Sequence, residues 1–349
     1  MNHILVTAAL MLAFGASSLQ AQQTPDTINR KSGKPQRGTV TEITQTSVTV
    51  KPGISDPVTI DANDIIDIEW GGGPGDLITA RGAENSGNYD TALENYAKAE
   101  ADASKALIKA DIAFLIARTT AKIAMEKDAT KLDDAAAKLD AFIKANTTSY
   151  RYFDAVFLLG RIHLAREDFT KAGIEFNRLA KAPWSDYKMA GRNANGRLAI
   201  ARGDLPAAKA AYQAVLGLPA TKSAEVSRRN EALLGMSAAL IAEKNHQAAL
   251  KSITEAITKA DPEDSAVQAE AYVLKGDCLQ SIGQNKSAIL AYLHVPVLFE
   301  KEAMLNARAL YHLTILWEKV EQPDRSVAAR DELTEKYADT KWAKMLKAN

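Results

Sequence analysis

The sequence predicts a mainly α chain, an α-solenoid of about seven helix pairs preceded by a small β-barrel-like module. Two observations carry this reading. The hydrophobic period changes from two to that of a helix across "GGGPGD", Gly71 to Asp76. Beyond that point one pattern of small and large side chains recurs at matching offsets. The boundaries that follow are 1–21 for a signal peptide, 22–70 for the β module, 71–76 for a glycine-rich linker and 77–349 for the solenoid.

The opening "MNHILVTAALMLAFGASSLQAQQ" has an apolar run from Ile4 to Phe14, then small and polar residues, then Leu19-Gln20-Ala21 as a cleavage site before Gln22. The run is shorter than the about 20 residues of a spanning helix, so it reads as a secretory signal peptide and the chain as exported: periplasmic, envelope-associated or secreted. Its first residues carry no Lys or Arg, and the rival reading is an uncleaved N-terminal anchor. No later segment is apolar enough to span a membrane, so none is expected after signal cleavage. The 43 basic and 43 acidic side chains cancel, which leaves no global field to attract nucleic acid or an anionic bilayer. Cys278 is the only cysteine, so no intramolecular disulfide forms and the fold rests on burial. It lies in "LKGDCLQSIG" beside Asp277, a setting for a packing thiol rather than a reactive one.

Between Thr24 and Trp70, "RGTVTEI", "SVTVKPG", "PVTID" and "IIDIEW" place Val40, Val48, Val50, Val58, Ile60, Ile66 and Ile68 at alternating positions within short runs. These are strands, separated by turn formers, with a fifth strand at "DTINR". The order resembles the small SH3-like or Sm-like barrels at the front of exported bacterial repeat proteins. That resemblance implies either a cap or a peptide-binding module. The glycine run that follows forbids both helix and ladder, which makes it a joint. It lacks the Lys-Ser/Thr ending of a phosphate-binding loop, so nucleotide binding is not expected.

The recurring pattern is clearest when "GNYDTA", "EDFTKA", "GDLPAA", "KNHQAA" and "GQNKSA" are aligned on their last alanines, Ala92, Ala172, Ala208, Ala249 and Ala288. Four residues later stand Tyr96, Phe176, Tyr212, Ile253 and Tyr292. Twelve residues earlier stand Ala80, Gly160, Gly196, Ser237 and Gly276. Small residues let two helices approach, and the large side chain fills the seam between them. "KLDDAAAKLDAFIKANTTS" supplies the second helix of a divergent unit across about residues 105 to 148. In the last unit Ser326 replaces the alanine and Arg330 the aromatic, as suits a polar terminal repeat. Pro296 implies a second helix cut short and followed by a turn, or a kink that opens a pocket between the last two units.

This constellation resembles the tetratricopeptide repeat, whose helix-turn-helix unit has the same small, aromatic and alanine positions; the spacing here, roughly 36 to 41 residues, exceeds the 34 of that family. The ending "EKYADTKWA" looks like that of repeats in periplasmic proteins of the Tol-Pal-associated type. The resemblance implies a scaffold that binds a protein or extended peptide in the cell envelope through a concave groove, with no cofactor and no catalytic or metal-binding residues.

The residues themselves add little chemistry. His163, His246, His294 and His312 form no metal-binding spacing, and His163 reads as a packing or rim residue. His294 and His312 are candidates to meet across adjacent units. No nucleophile elbow or acid/base pair stands out. Alignment on the alanines places Phe157 and Arg161 in register with Asn193 and Arg197, and Tyr272 one position off, as candidate partner-binding residues of the groove wall. Arg supplies a planar fork for carboxylates or backbone carbonyls, and aromatics supply rigid contact area. The competing reading pairs these arginines with neighbouring carboxylates. Two other functions remain open at this stage. One is a cell-wall or carbohydrate-binding protein using exposed Trp184, Tyr187, Trp317 or Trp342; the other is an enzyme with dispersed catalytic residues.

Overall fold

The computed structural model describes residues 24–348. The expected signal peptide, 1–21, lies outside the described residues. Five strands, β1 (Asp26–Arg30), β2 (Gln36–Ile43), β3 (Ser47–Lys51), β4 (Val58–Asp61) and β5 (Ile65–Glu69), form one antiparallel sheet in the order β4-β3-β2-β1-β5. The segment expected as a fifth strand is β1, and it lies inside the sheet. A 3-10 turn, Ala62–Asp64, carries the chain from β4 to β5. Register pairs Ile28 with Ile68 and Val48 with Ile60, so one face buries Ile28, Val48, Val50, Ile60, Ile65 and Ile68 as a small core.

Two expected inward residues point out. Ile66 is 49% exposed and Val58 38%, while Ile65 is buried. The cause at Ile66 is a register shift in β1–β5 pairing, where Asn29 opposes Asp67 and Arg30 opposes Ile65. The extra residue of such a bulge leaves the alternation, so period-two counting assigns it to the wrong face. Val58 begins an edge strand, with β3 on one side only.

Seven helix pairs follow: α1/α2 (Gly75–Asn85, Tyr89–Asp102), α3/α4 (Ala106–Glu126, Leu132–Ala145), α5/α6 (Tyr152–Ala165, Phe169–Leu179), α7/α8 (Ser185–Ala201, Leu205–Leu216), α9/α10 (Ser223–Ala242, His246–Lys259), α11/α12 (Ser265–Ser281, Asn285–Leu298) and α13/α14 (Ala303–Lys319, Pro323–Lys336). A short α15 (Lys341–Ala348) packs on α13 and α14 and buries Ala343. Six of the seven turns inside pairs pass through a left-handed residue: Gly87, Gly203 and Gly283, with Glu167, Lys244 and Glu321 at the other three. There the chain closes the first helix as in Asn88 N–H to Ala83 O, 2.9 Å, and Asp168 N–H to His163 O, 2.9 Å. The next residue caps the second helix: Asp168, Asp204 and Asn245 accept from Lys171, Ala207 and Ala248 main-chain N–H groups.

The small and large positions meet as steric complements. A Cβ on Gly160 would lie 2.5 Å from the Phe176 ring, on Gly196 2.6 Å from Tyr212, and on Gly276 2.5 Å from Tyr292. Tyr96, Phe176, Tyr212 and Tyr292 are fully buried in these seams. Ser326 is buried and donates to Thr314 O at 2.8 Å, and Arg330 turns outward to Glu318 at 3.0 Å. α12 is not shortened: Pro296 falls in its last turn, and its 14 residues equal those of α10.

Candidate protein-interaction groove

The odd-numbered helices pack on one another, α3 on α5, α5 on α7, α7 on α9, α9 on α11 and α11 on α13, and each even-numbered helix lies outside its pair. The inner layer curves. Arg197 of α7 comes within 3.6 Å of Glu270 of α11, past the intervening α9. Side chains at mid-length of α5, α7, α9 and α11 therefore share one concave surface.

Arg161 of α5 is exposed on that surface, with its guanidinium carbon 5.9 Å from the Phe157 ring centroid. Among the described residues it makes no ion pair. Desolvation within the groove, and after it the like charge of Arg197, lower its pKa below the ordinary arginine value. Arg197 differs, since the Glu270 carboxylate raises its pKa. The two expectations for these arginines thus divide: Arg197 has an acidic partner and Arg161 has none among the described residues. Phe157 is half-buried and packs against two apolar clusters, one running from α1 to α7 and one between α6 and α7.

Asn193 is a correction. It is 1% exposed, and its Nδ2 donates to Arg228 O at 2.8 Å and toward Glu231 at 3.4 Å. The close approach of α7 to α9 covers it, so it ties two inner helices together beneath the groove. Tyr272 is the second correction. It lies two residues, about 200° of helix, from the groove-facing Glu270. Its ring stacks on His294 at 4.2 Å and 9° and packs near Phe299 at 6.1 Å. Alignment on the alanines did not single out Arg228, Glu231 or Glu270. They are charged helix positions like many others in the chain, and only the curvature of the stack brings them together.

The remaining candidates are packed. His163 is buried and its pKa is lowered by desolvation, as befits a packing residue. His294 and His312 do not form a pair, because His312 stacks on Tyr292 at 5.0 Å while His294 takes Tyr272. Cys278 is fully buried, its sulfur 3.4 Å from His246 O, and burial followed by the Asp277 charge raises its pKa. The rings named for sugar stacking all have packing partners among the described residues. Trp184 and Tyr187 pack with Phe153, Trp317 is covered by Arg325 at 4.8 Å, and Trp342 lies among Tyr311, His312 and Lys341. Among the described residues no helix is long and apolar enough to cross a membrane.

The β module is docked along the edge of the stack. Asp111 of α3 is buried and accepts from Trp70 Nε1 at 3.0 Å, Arg81 at 3.0 Å, Tyr150 Oη at 2.8 Å and Arg151 at 3.4 Å. Burial alone would raise its pKa; the Arg151 and Arg81 charges and the Trp70 and Tyr150 hydrogen bonds outweigh this and hold the carboxyl below its ordinary range. The same arginines donate onward to the module, Arg151 to Ile66 O at 2.9 Å and Arg81 to Ile68 O at 3.0 Å. Tyr150 enters the module's own core. These contacts tie the module to α1, α3 and the segment that leads into α5.

The tetratricopeptide repeat family matches residues 126–187 and 193–265, a span from the end of α3 to the start of α11. No curated protein matches the sequence. The crystal structure of apo RapI superposes with a TM-score of 0.53 at 11% identity, covering 74% of this chain and 98% of that one. A Rap protein complexed with competence and sporulation factor gives 0.50 at 15% identity, covering 78% of each chain. A tetratricopeptide repeat protein from Parabacteroides merdae gives 0.49 at 12% identity, covering 78% of this chain and 98% of that one. At these identities the likeness to the first two is one of fold.

Proposed function

We propose that this tetratricopeptide-repeat protein is an exported, envelope-associated scaffold that holds an extended segment of another protein in its concave groove, over Phe157 and Arg161. The observation that carries the reading is the contrast between Arg197, paired with Glu270, and Arg161, exposed beside an aromatic ring with no ion pair among the described residues. A guanidinium left open in a partly desolvated groove favours a planar acceptor, a carboxylate or a pair of main-chain carbonyls, through charge-assisted bonds. A solenoid of this kind offers surface rather than a reaction centre, and in this reading the chain performs no covalent chemistry. Export is supported by the apolar run from Ile4 to Phe14 and the small residues after it.

The test is cross-linking with mass spectrometry in native envelopes. Wild type gives specific partner cross-links from α5 and α7, and Arg161→Glu with Arg197→Glu removes them while the thermal midpoint stays near that of wild type. Unchanged cross-links in the double variant would rule out the groove, and a chain recovered entirely from the cytosolic fraction would rule out export.

A further inference from the structure

One helix of the outer layer is apolar on both faces. From Ala288 to Phe299, across most of α12, there is no Asp, Glu, Lys or Arg. Its inward residues Ala288, Tyr292 and Val295 are fully buried, yet Leu290, Val297 and Leu298 are 63%, 72% and 61% exposed. Outer helices on either side of it carry charge: α10 pairs Glu255 with Lys259, and α14 pairs Glu332 with Lys336. An amphipathic helix of a repeat array keeps its outer side polar, so a second apolar face calls for a second partner.

The spacing and the end charges of that face select the partner. Lys286, Leu290, Leu293, Val297 and Glu300 follow one another at intervals of four, three, four and three residues, the seam of a coiled coil. The seam reads the same when reversed about Leu293: Leu290 changes places with Val297, and Lys286 with Glu300. Both end charges are exposed and neither forms an ion pair among the described residues; Lys336, which lies near Glu300, is bonded to Glu332 at 3.0 Å. Each also stands at the wrong end of its own helix, a cation in the first turn and an anion just past the last, against the helix dipole. A second α12 running antiparallel sets Lys286 beside Glu300 at both ends, and sets each charge at the favourable end of the neighbouring helix. The surrounding charges agree in sign. Lys275 borders a hollow of ≈ 410 Å³ beside Ser287 and Leu290, toward the Lys286 end, and the turn Glu300-Lys301-Glu302 is acidic on balance.

We propose that α12 is the seam of a homodimer, in which two copies of this chain pair antiparallel about a two-fold axis at Leu293. Leu290 of each copy packs on Val297 of the other, and Lys286 of each meets Glu300 of the other. α12 has 14 residues and is about 21 Å long, so it buries less than the about 800 Å² per partner of a tight interface. The dimer therefore dissociates in the range of about 10–100 µM. The seam lies on the outer side of the stack and leaves the concave groove open, so the inference does not depend on the groove reading.

The test is sedimentation velocity of the chain from residue 22 onward, at concentrations from about 1 to about 500 µM. Wild type passes from monomer to dimer over that range, and Leu290→Glu, at an exposed position, stays monomeric and keeps the wild-type thermal midpoint. Lys286→Glu alone and Glu300→Lys alone each weaken the dimer about tenfold, because like charges then face each other at both ends. An equimolar mixture of these two variants regains the wild-type dissociation constant, since each end again joins opposite charges. Misfolding of either variant could not produce that rescue. The proposal is overturned if wild type stays monomeric at about 500 µM, if Leu290→Glu still dimerises, or if the mixture associates no better than either variant alone. It is also overturned if wild-type monomer co-sediments with phosphatidylglycerol vesicles and Leu290→Glu does not, since the seam would then serve a lipid surface.

Discussion

Arg197 of α7 and Glu270 of α11 form an ion pair 3.6 Å long across the concave face, with their side chains 40% and 34% exposed. An ion pair this exposed contributes at most about 1 kcal/mol, because water screens it and both side chains lose rotamer freedom. Its consequence is geometric, since it closes part of the groove beside the open Arg161. Urea denaturation of Arg197→Ala, Glu270→Ala and the double variant is expected to give a coupling energy below about 1 kcal/mol. A coupling of several kcal/mol would mean instead that the pair clamps the curvature of the stack.

Asp111 is the opposite case. Its carboxylate is buried and gathers two arginines, a tryptophan and a tyrosine. Asp111→Ala leaves Arg151, whose side chain is 4% exposed, without its buried counter-charge. The expected loss is about 3–5 kcal/mol. The arginines also hold the outer edge of β5, so hydrogen exchange of β1 and β5 amides should quicken while α11 to α14 keep their protection, as nearest-neighbour coupling in a repeat array requires. Equal quickening along the whole chain would refute the local role.

Glu84 supplies a pH signature. Burial raises its pKa, but hydrogen bonds and charge from Arg118 and Lys122 prevail and lower it from the ordinary 4.5 to about 2. A carboxyl depressed in the folded state stabilises fully above its unfolded pKa, and the gain is lost as pH falls from about 4.5 toward 2. The size is about 3 kcal/mol. Glu84→Gln should therefore be less stable than wild type at pH 7 by an amount of that order and converge with it near pH 2. A stability gap that stays constant over this range would assign the effect to packing alone.

What could be read in advance depended on how local the physics is. Gly160 with Phe176, and Gly276 with Tyr292, are steric complements at a constant offset within one helix pair, so recurrence exposed them. Arg161 was reachable because its place on the first helix follows from the same offset. Asn193 shares that offset but is sealed by the approach of α9, a tertiary fact. Glu270 lies two helix pairs away from Arg197, and no periodicity links them. The docking of the β module was equally hidden. Trp70, Arg81, Asp111 and Tyr150 stand in four separate segments and meet only at one buried carboxylate. The bulge that turns Ile66 outward defeats any count of alternate residues.

The glycines allow a paired test of the seam argument. Gly82 in α1 and Gly276 in α11 both sit inside helices, where alanine is favoured over glycine by about 1 kcal/mol. Nothing lies within 4 Å of a Cβ built on Gly82, so Gly82→Ala should stabilise by about 0.4–1 kcal/mol. On Gly276 the Cβ would stand 2.5 Å from the Tyr292 ring, which is itself fully buried and bonded through its hydroxyl to Asp277 at 2.7 Å. That ring has no room to retreat, so overpacking outweighs propensity and Gly276→Ala should destabilise by about 1–3 kcal/mol. Combining Gly276→Ala with Tyr292→Leu, which removes the ring edge, should recover part of the loss. Opposite signs for the two glycines in thermal denaturation, with that partial rescue, would establish the glycine and aromatic pair as the contact that sets the spacing of α11 and α12. Equal effects at both positions would leave the recurrence as a matter of helix propensity.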